Sequence, residues 1–315
     1  MKSNIYLGAL RTAIDAGVVV VLAGMGELLT ERVGVLNLGQ EGLIGIGAVA
    51  AVLTAAKVSS PWVALLVGMG AAGLLGFLFA TSVVVVRTNQ VLTGLAVVLI
   101  GVGLSNQLGN DYQGSPVQHT FKPLRIPGLA DIPQVGPALF NHTLFVYLAY
   151  IALPLVVLVL LFHTRHGMNL RAVGEDPAAA DAAGINVIGM RLAYTTIGAA
   201  LSGAGGAFLV LAFTTVWSPD VARFRGWVAL ALVIFAAWRP FLLVFGGLLF
   251  GAMIGLEFIA QQRNWGVPTF VLAMFPYLVT LVLILLPALL SRLGYKFRGS
   301  VAPAGLALPY FREER

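Results

Sequence analysis

The stretch GVLNLGQEGLIGIGA, residues 34–48, places Asn37, Gln40 and Glu41 inside an otherwise apolar, glycine-rich chain. Asn37 followed by Gln40 is a variant of the capping box, and a carboxylate in a first turn favours a helix start. In lipid an interrupted backbone is tolerated only where it packs in protein or lines a wet cavity. Three roles remain open for Glu41: a cap at the membrane–water boundary, a contact between helices, or a substrate contact.

The composition is that of a polytopic membrane protein. Of 315 residues, 59% are hydrophobic and only 10% are charged, whereas soluble domains carry about 25% charged residues. There is no cysteine and the four histidines are scattered, so neither a metal site nor a catalytic site is expected. The net charge of +6 fits basic cytoplasmic loops better than nucleic-acid binding. The first apolar run lacks a small-residue cleavage site and is expected to be a retained helix.

Apolar runs of about 20 residues predict an all-α fold of about 8–10 transmembrane helices, some of them broken, in a single transmembrane domain over 1–315. The predicted spans are 7–29, 36–56, 61–86, 90–108, 143–163, 189–214, 226–239, 241–261 and 268–291. Arginines after a long apolar helix place loop 164–188 in the cytoplasm, with 109–142 outside and tail 292–315 inside. Parity then puts the N-terminus outside, against the indication of Lys2 and Arg11.

A short internal repeat is also present. Residues 89–103, NQVLTGLAVVLIGVG, resemble residues 225–238, RGWVALALVIFAAW. The predicted topology runs the two helices in opposite directions, as an inverted repeat requires.

Other polar or aromatic residues near helix starts are candidates for a substrate pathway. Asn89 and Gln90 follow Arg87 and either form a cytoplasmic turn or begin a helix that faces a cavity. Trp217 and Phe224, near Arg225, form either an interfacial aromatic belt or a stacking platform. The full set of candidates is Asn37, Gln40, Glu41, Asn89, Gln90, Asn106, Trp217, Phe224 and Arg225.

The segment GEDPAAADAAG, residues 174–184, predicts a short helix. Asp176 is a good N-cap, Pro177 suits the first helical position, and Gly184 ends the helix. So short a helix is marginal in water, so the membrane domain or a partner must hold it. Separately, Gly198, Ser202 and Gly206 recur every four residues, which predicts close helix packing.

Several of these segments together resemble the permease subunits of ATP-binding-cassette importers. The family is the branched-chain amino acid/simple sugar permease superfamily, and the nucleoside/simple-sugar branch is most similar. The motifs that carry the resemblance are ERVGVLNLGQEG (31–42), RTNQVLTGLA (87–96), RAVGEDPAAADAAGI (171–185) and ALALVIFAAWRP (229–240). It extends from about residue 7 to about residue 295. The family commonly has Asn where Asp176 stands, and Gln40 replaces a more variable, often hydrophobic residue.

The resemblance implies a role for the predicted short helix and a set of partners. It identifies the helix as the coupling helix that docks on the ATPase, with Gly174, Glu175, Asp176, Pro177, Asp181 and Gly184 as the matching residues. It implies a multi-pass protein of the cell membrane that pairs with a second, different permease, an ATP-binding subunit and an extracytoplasmic substrate-binding lipoprotein. This chain would itself bind no cofactor and hold no ATP, since it lacks a phosphate-binding P-loop.

Alternatives remain open on the sequence alone. Within the family, the substrate is a nucleoside, a simple sugar or a branched-chain amino acid. The amides at Asn37, Gln40, Asn89, Gln90 and Asn106 favour a neutral ligand over a zwitterion. An ion-coupled carrier usually has paired carboxylates at mid-membrane, and Asp15, Glu27, Glu41 and Glu257 form no obvious pair. A membrane enzyme has no support, since no nucleophile–base set is present.

Overall fold

Helices make up almost all of the secondary structure in the computed structural model, which describes residues 2–133, 136–292 and 302–311. A two-stranded antiparallel hairpin pairs β1 (Leu124–Arg125) with β2 (Asn141–His142). The helices are α1 (Lys2–Arg32), α2 (Gln40–Ala55), α3 (Pro61–Ala80), α4 (Gln90–Gly109), α5 (Gly136–Leu139), α6 (Leu144–Tyr147), α7 (Leu153–His163), α8 (Arg165–Glu175), α9 (Pro177–Ala182), α10 (Val187–Phe208), α11 (Arg225–Phe235), α12 (Pro240–Gln262) and α13 (Thr269–Arg292). Single π-helical turns, Thr81–Val85, Leu148–Ala152 and Leu209–Phe213, extend α3, join α6 to α7 and extend α10.

Each of the nine predicted spans coincides with a helix, so the all-α polytopic fold is confirmed. Among the described residues, six stretches are long and apolar enough to cross a membrane: Ile5–Arg32, Pro61–Val85, Gln90–Tyr112, Leu144–His163, Val187–Phe213 and Pro240–Gln262. Helix α13 has 24 residues. Helices α2 and α11 have only 16 and 11 residues. At about 1.5 Å per residue neither crosses a hydrocarbon core about 30 Å thick, so predicted spans 36–56 and 226–239 are half-helices.

Glycine contacts fix the directions of the long helices. Along α1, Ala9 packs on Gly255 and Gly17 packs on Gly247, so α12 runs antiparallel to α1. The end of α1 lies beside Gly174, at the end of α8. We call this end of the bundle, which carries α8 and α9, the α9 face. The N-terminus of α1 therefore lies at the opposite face, and its external location stays a prediction.

The two half-helices occupy inverted positions. Helix α1 runs towards the α9 face and is followed by α2, which runs back; α10 runs away from that face and is followed by α11, which returns towards it. Segments 89–103 and 225–238 do run in opposite directions, as predicted. However, α2 is the counterpart of α11 rather than α4, because α2 and α11 are both short and both start inside the bundle. The repeat is therefore seen in the order and direction of the helices more than in sequence similarity.

The predicted stripe of small residues on α10 is a packing seam. Gly198 lies against the backbone of Gly26 on α1, and Gly206 lies against the backbone of Ile44 on α2. Between them Ser202 donates a hydrogen bond to Gln40. Gly203 of α10 also lies against Gly68 of α3. Helices α1, α2 and α3 thus approach α10 at positions where a larger side chain would collide with them.

The face opposite α9 carries two connected loops. Gly114 N donates to Trp217 O at 3.0 Å and Val117 N to Thr215 O at 2.9 Å, which joins the loop after α4 to the loop after α10. His142, whose ring is fully buried, contacts Asp15 Oδ1 of α1 through Nδ1 at 2.8 Å and Ala138 O through Nε2 at 2.7 Å. The two loops and the start of α1 therefore form one surface.

Asp131 in this surface has a pKa below its ordinary value, chiefly because Gly128 N donates to it and secondarily because Arg125 contacts it. A lowered carboxyl pKa stabilises the loop above the ordinary pKa, and this contribution is lost as the pH falls through the lowered pKa. We expect a carboxyl-carbon NMR titration to show the lowered midpoint. Replacing Arg125 with glutamine should raise it only in part, because Gly128 N remains. A midpoint at the ordinary aspartate value would contradict this assignment.

Candidate functional site

The starts of α2 and α11 meet inside the bundle through Glu41. Glu41 Oε1 accepts a hydrogen bond from Phe224 N at 2.6 Å, and Oε2 accepts one from Gly226 N at 2.8 Å. The first N–H groups of a helix have no partner within the helix, and its dipole favours a negative charge there. Glu41 therefore caps α11 from the neighbouring half-helix. Of the roles left open, the geometry shows the contact between helices.

Gly226 makes this junction possible because it has no side chain. A Cβ atom at Gly226 would lie 2.6 Å from Glu41 Cα, well inside van der Waals contact. Phe224, two residues earlier, has the left-handed backbone conformation with φ of 61°. A non-glycine residue is strained in that conformation and needs its surroundings to hold it. The hydrogen bond from Phe224 N to Glu41 and the contact of the Phe224 ring with Tyr277 are among the contacts that hold it.

A second network fixes the start of α2. Glu27 accepts hydrogen bonds from Asn37 N at 2.9 Å and from Gln40 Nε2, and Gln40 Oε1 in turn accepts one from Ser202. These four residues have no exposed surface. The predicted capping box is wrong, because the N-cap of α2 is Gly39 with no side-chain cap. Asn37 and Gln40 instead bind partners on α1 and α10, which sequence spacing does not show.

Glu27 has a second carboxyl group nearby, that of Glu31, which was not among the carboxylates considered from the sequence. The two residues lie one turn apart on α1. Glu31 Oε2 accepts a hydrogen bond from Trp238 Nε1 at 2.6 Å. The pair is enclosed, with 0% and 2% of each residue exposed. It lacks the access to water that a carrier's proton site needs.

A cavity of about 330 Å³ opens beside the junction, between α1, α12, α13 and the end of α10. Its polar lining includes Arg223, Arg225, Glu257 and Gln261, and its aromatic walls are Phe213, Phe250, Phe258 and Tyr277. Glu257 and Gln261 are hydrogen-bonded to each other, 3.0 Å apart, on one face of α12. The lining thus combines both signs of charge, an amide and flat apolar surfaces.

Arg225 connects the junction to the cavity. It is the first residue of α11 and only 9% exposed. Its Nη1 donates to Val221 O at 3.3 Å and to Ala222 O at 3.2 Å, whereas Nε has no partner among the described residues. A buried donor without a partner is costly, so this guanidinium is suited to a ligand oxygen in the cavity.

Other sequence candidates lie elsewhere. Asn89 is exposed and caps α4 through Leu92 N, and Gln90 Oε1 accepts from Leu36 N at 2.8 Å. Asn106 is bonded to Asp220 on the opposite face. Trp217 is fully buried against Gly109, so it is neither an interfacial belt residue nor a stacking platform.

Only Glu41, Phe224 and Arg225 among the pathway candidates lie at the junction beside the cavity. Phe224 is 64% exposed and its ring meets that of Tyr277 edge-on, with centroids 6.2 Å apart. The amides that favoured a neutral ligand do not line the cavity, whose polar lining includes charged groups. Each of these amide oxygens accepts a hydrogen bond from the protein, but Asn37 Nδ2 is buried without a partner among the described residues. The preference for a neutral ligand stays a prediction. A polar pair at i and i+4 within an apolar helix, Glu257 and Gln261, is the signal that points to α12.

The short helix predicted at 174–184 is α9. Asp176 Oδ1 accepts a hydrogen bond from Ala179 N at 2.9 Å, and Gly184 has φ of 84° after the last turn. The helix does not stand alone, because α8 precedes it directly and Ala180 is 3% exposed in the hydrophobic core. Glu175 and Asp176 remain exposed. The membrane domain thus holds α9 and presents its outer side.

Comparison with known proteins gives a consistent result. Residues 10–289 match the family described as branched-chain amino acid transport system/permease component. A putative glucose ABC transporter permease of Haloferax volcanii is 38% identical over 261 residues, 82% of this chain and 79% of that protein. A guanosine ABC transporter permease of Bacillus subtilis is 29% identical over 94% of this chain and 93% of its own length. A nucleoside ABC transporter permease of Lactococcus lactis subsp. cremoris is 31% identical over 84% and 87%. No solved structure matches the chain.

Proposed function

The chain belongs to the permease component family of the branched-chain amino acid transport system, and from this premise we propose that it conducts nucleosides in an ATP-driven importer. It is a multi-pass protein of the plasma membrane and a subunit of a transporter with an ATPase and a binding protein. The finer arrangement is part of the proposal. A second, different permease completes the pathway, a lipoprotein delivers the substrate, and ATP is bound by the ATPase alone.

The proposed orientation has the α9 face in the cytoplasm. Arg165 and Arg171 of α8 lie on this face, in keeping with the excess of basic residues in cytoplasmic loops. The loops joined at Trp217 then face outwards, where a receptor would meet them. In this orientation the cavity beside Arg225 lies on the outer side of the junction, and α11 separates it from the cytoplasm.

The observation that carries the proposal is the position of Arg225 in an aromatic-walled cavity. A nucleobase presents two flat faces, which aromatic rings bind by stacking. The carbonyl oxygen of guanine and the ring nitrogens of either purine accept hydrogen bonds from a guanidinium, and base N–H groups and the ribose hydroxyls donate to a carboxylate such as Glu257. Relatives named for guanosine and nucleosides cover 94% and 84% of this chain.

A simple sugar is the second candidate, because a relative named for glucose is 38% identical to this chain. Sugars also stack on aromatic rings and bond to carboxylates and amides. A branched-chain amino acid would use Arg225 and Glu257 for its two charged ends. The three ligands differ in how they would contact the aromatic walls, because only the nucleobase has an extended planar ring that can stack on them.

The mechanism that follows is alternating access. ATP binding by the partner would displace α9 as a rigid element, and the half-helices α2 and α11 would shift against the long helices that enclose them. Glu41 holds the two starts together, so they would move as one unit. The cavity would then close on the outer side and open towards the cytoplasm.

Uptake into vesicles that contain this chain with the subunits encoded beside it tests the proposal. We expect ATP-dependent, receptor-dependent uptake of labelled guanosine or adenosine, with unlabelled nucleosides as competitors and no competition by glucose or leucine. Glucose uptake alone would replace the substrate, and uptake by this chain alone on an ion gradient would contradict the importer. Glu175→Lys, at the end of α8 directly before the N-cap of α9, should abolish all ATP-dependent uptake.

Replacing Arg225 with glutamine is expected to weaken nucleoside recognition. Losing a hydrogen bond to a charged group costs roughly 1.5–3 kcal/mol, which corresponds to about a 10- to 100-fold higher KM. Arg125→Gln is the matched control, because Arg125 is exposed and lies outside the cavity. An unchanged KM for Arg225→Gln in an intact complex would remove Arg225 from the site.

A further inference from the structure

Residues 302–311, which we call the terminal segment, lie across the α9 face. Its core contacts come from Ala302, Leu306 and Tyr310, which pack against the hydrophobic cluster that contains Val33, directly after α1, and Val173 of α8. At its far end Phe311 lies under the guanidinium of Arg87, 4.7 Å from the ring centroid. The segment is thus seated on the bundle over its described length.

Two backbone bonds from this segment join two separate parts of the bundle. Gly305 N donates to Gly174 O at 2.9 Å, directly before α9, and Ala307 N donates to Gly34 O at 3.2 Å, in the turn between α1 and α2. Gly305 also packs against Pro177, the first residue of α9. Two donors only two residues apart therefore link the base of α9 to the turn that leads into the half-helix α2.

Arg191, at the start of α10, fastens the same link. Its Nε donates to Val33 O and its Nη1 donates to Leu308 O, both at 3.1 Å. The side chain is 2% exposed. One buried cation therefore holds the α1–α2 turn and the terminal segment together, beside the Gly34 carbonyl that Ala307 binds.

The linked turn leads directly to the site. Gly34 is three residues from Asn37, whose N–H is held by Glu27, and seven residues from Glu41, which caps α11. Displacement of α9 has a short covalent and hydrogen-bonded route to the half-helices through the terminal segment and this turn. The route is stiff, because it consists mostly of hydrogen-bonded backbone with few freely rotating bonds.

We infer that the terminal segment is a positioning element that transmits the movement of α9 to the α1–α2 turn, so that ATP hydrolysis is coupled to movement of the half-helices. The inference rests on the proposed function, since it takes α9 as the element that the ATPase moves. Without the segment, α9 would still present its outer side to the ATPase, and its displacement would reach the α1–α2 turn through the packing of Gly174 on Gly34 and of α8 and α9 on α10, without the two backbone hydrogen bonds that the segment supplies.

The test uses the complete complex in nanodiscs or vesicles and compares two substitutions at one position. Ala307→Pro removes the N–H that binds Gly34 O and cannot adopt the observed φ of 62°. Ala307→Gly keeps the N–H and relieves the strain of that φ. Deletion of residues 302–315 is the larger variant, and deletion of 312–315, outside the described residues, is its control.

Substrate imported per ATP hydrolysed is the decisive quantity. For Ala307→Pro and for the 302–315 deletion we expect the ATPase to remain bound and hydrolysis to stay near the parent rate, whereas import per ATP falls roughly tenfold. Ala307→Gly and the 312–315 deletion should match the parent.

Two results would overturn the inference. One is an unchanged ratio in both disruptive variants, and the other is loss of the ATPase from the complex, which would make the segment a docking surface. Failure of the proposed function itself looks different, because the parent complex would then show no ATP-dependent uptake.

Discussion

Replacing Glu41 with glutamine should cost roughly 1–3 kcal/mol at the junction of the half-helices, or about a 5- to 150-fold loss of its correctly assembled form. The carboxylate accepts N–H groups of Phe224 and Gly226 through its two oxygens. A glutamine has one oxygen to accept and would turn its NH₂ group towards the other N–H. We expect the initial rate of ATP-driven uptake and the unfolding temperature in detergent to fall together.

Glu257→Gln is the matched control for this prediction. It makes the same chemical change in a carboxylate of the cavity wall that is bonded to Gln261 and not to a helix start. It should raise the KM without lowering the unfolding temperature. If Glu41→Gln behaved the same way, with a higher KM and unchanged stability, Glu41 would be a ligand contact and its role as cap of α11 would be wrong.

Adding one methyl group at Gly206 is expected to destabilise the bundle by at least about 1–3 kcal/mol, the usual cost of overpacking. A Cβ atom there would lie 2.8 Å from Ala48 N and closer still to the Ile44 carbonyl, and both are backbone atoms of α2 that cannot turn aside. The consequence is a displaced α2 and a misplaced Glu41. A fall in the unfolding temperature and in the yield of monodisperse protein measures this.

Gly70→Ala provides the comparison, because a Cβ at Gly70 of α3 meets no atom within 4 Å. Both substitutions replace a helical glycine with alanine, which by itself favours the helix by about 1 kcal/mol. The unfolding temperature should therefore fall for Gly206→Ala and rise for Gly70→Ala. Equal unfolding temperatures would mean that the contact between α10 and α2 yields readily and that this seam does not position the half-helix.

The local elements of this fold were predictable where the signal lies in neighbouring residues. Asp176, Pro177 and Gly184 define the bounds of α9 because capping, proline geometry and left-handed glycine are local effects. The spacing of Gly198 and Gly206 likewise predicts a packing face. Helix directions followed from counting spans and from the basic residues of one loop.

The site itself was only partly predictable, because its geometry comes from contacts between distant parts of the chain. Nothing near Gln40 in sequence indicates that Glu27 and Ser202 would bind it, so a cap was predicted where a network exists. The sequence around Trp217 is typical of an interfacial tryptophan, yet its ring is buried against Gly109. Tyr277 enters the cavity from α13, a helix that showed no polar interruption.

The junction of α2 and α11 also has an electrical consequence. Two helix starts meet there, and each carries a partial positive charge from its aligned peptide groups. Glu41 at the junction and Glu257 in the cavity wall offset this charge, whereas Arg223 and Arg225 add to it. Two helix starts and two arginines therefore face two carboxylates within one short part of the molecule. Positive helix ends and arginines form the barrier to cations in water channels, and we expect those of the junction to hinder leakage of protons and metal ions when the cavity is open.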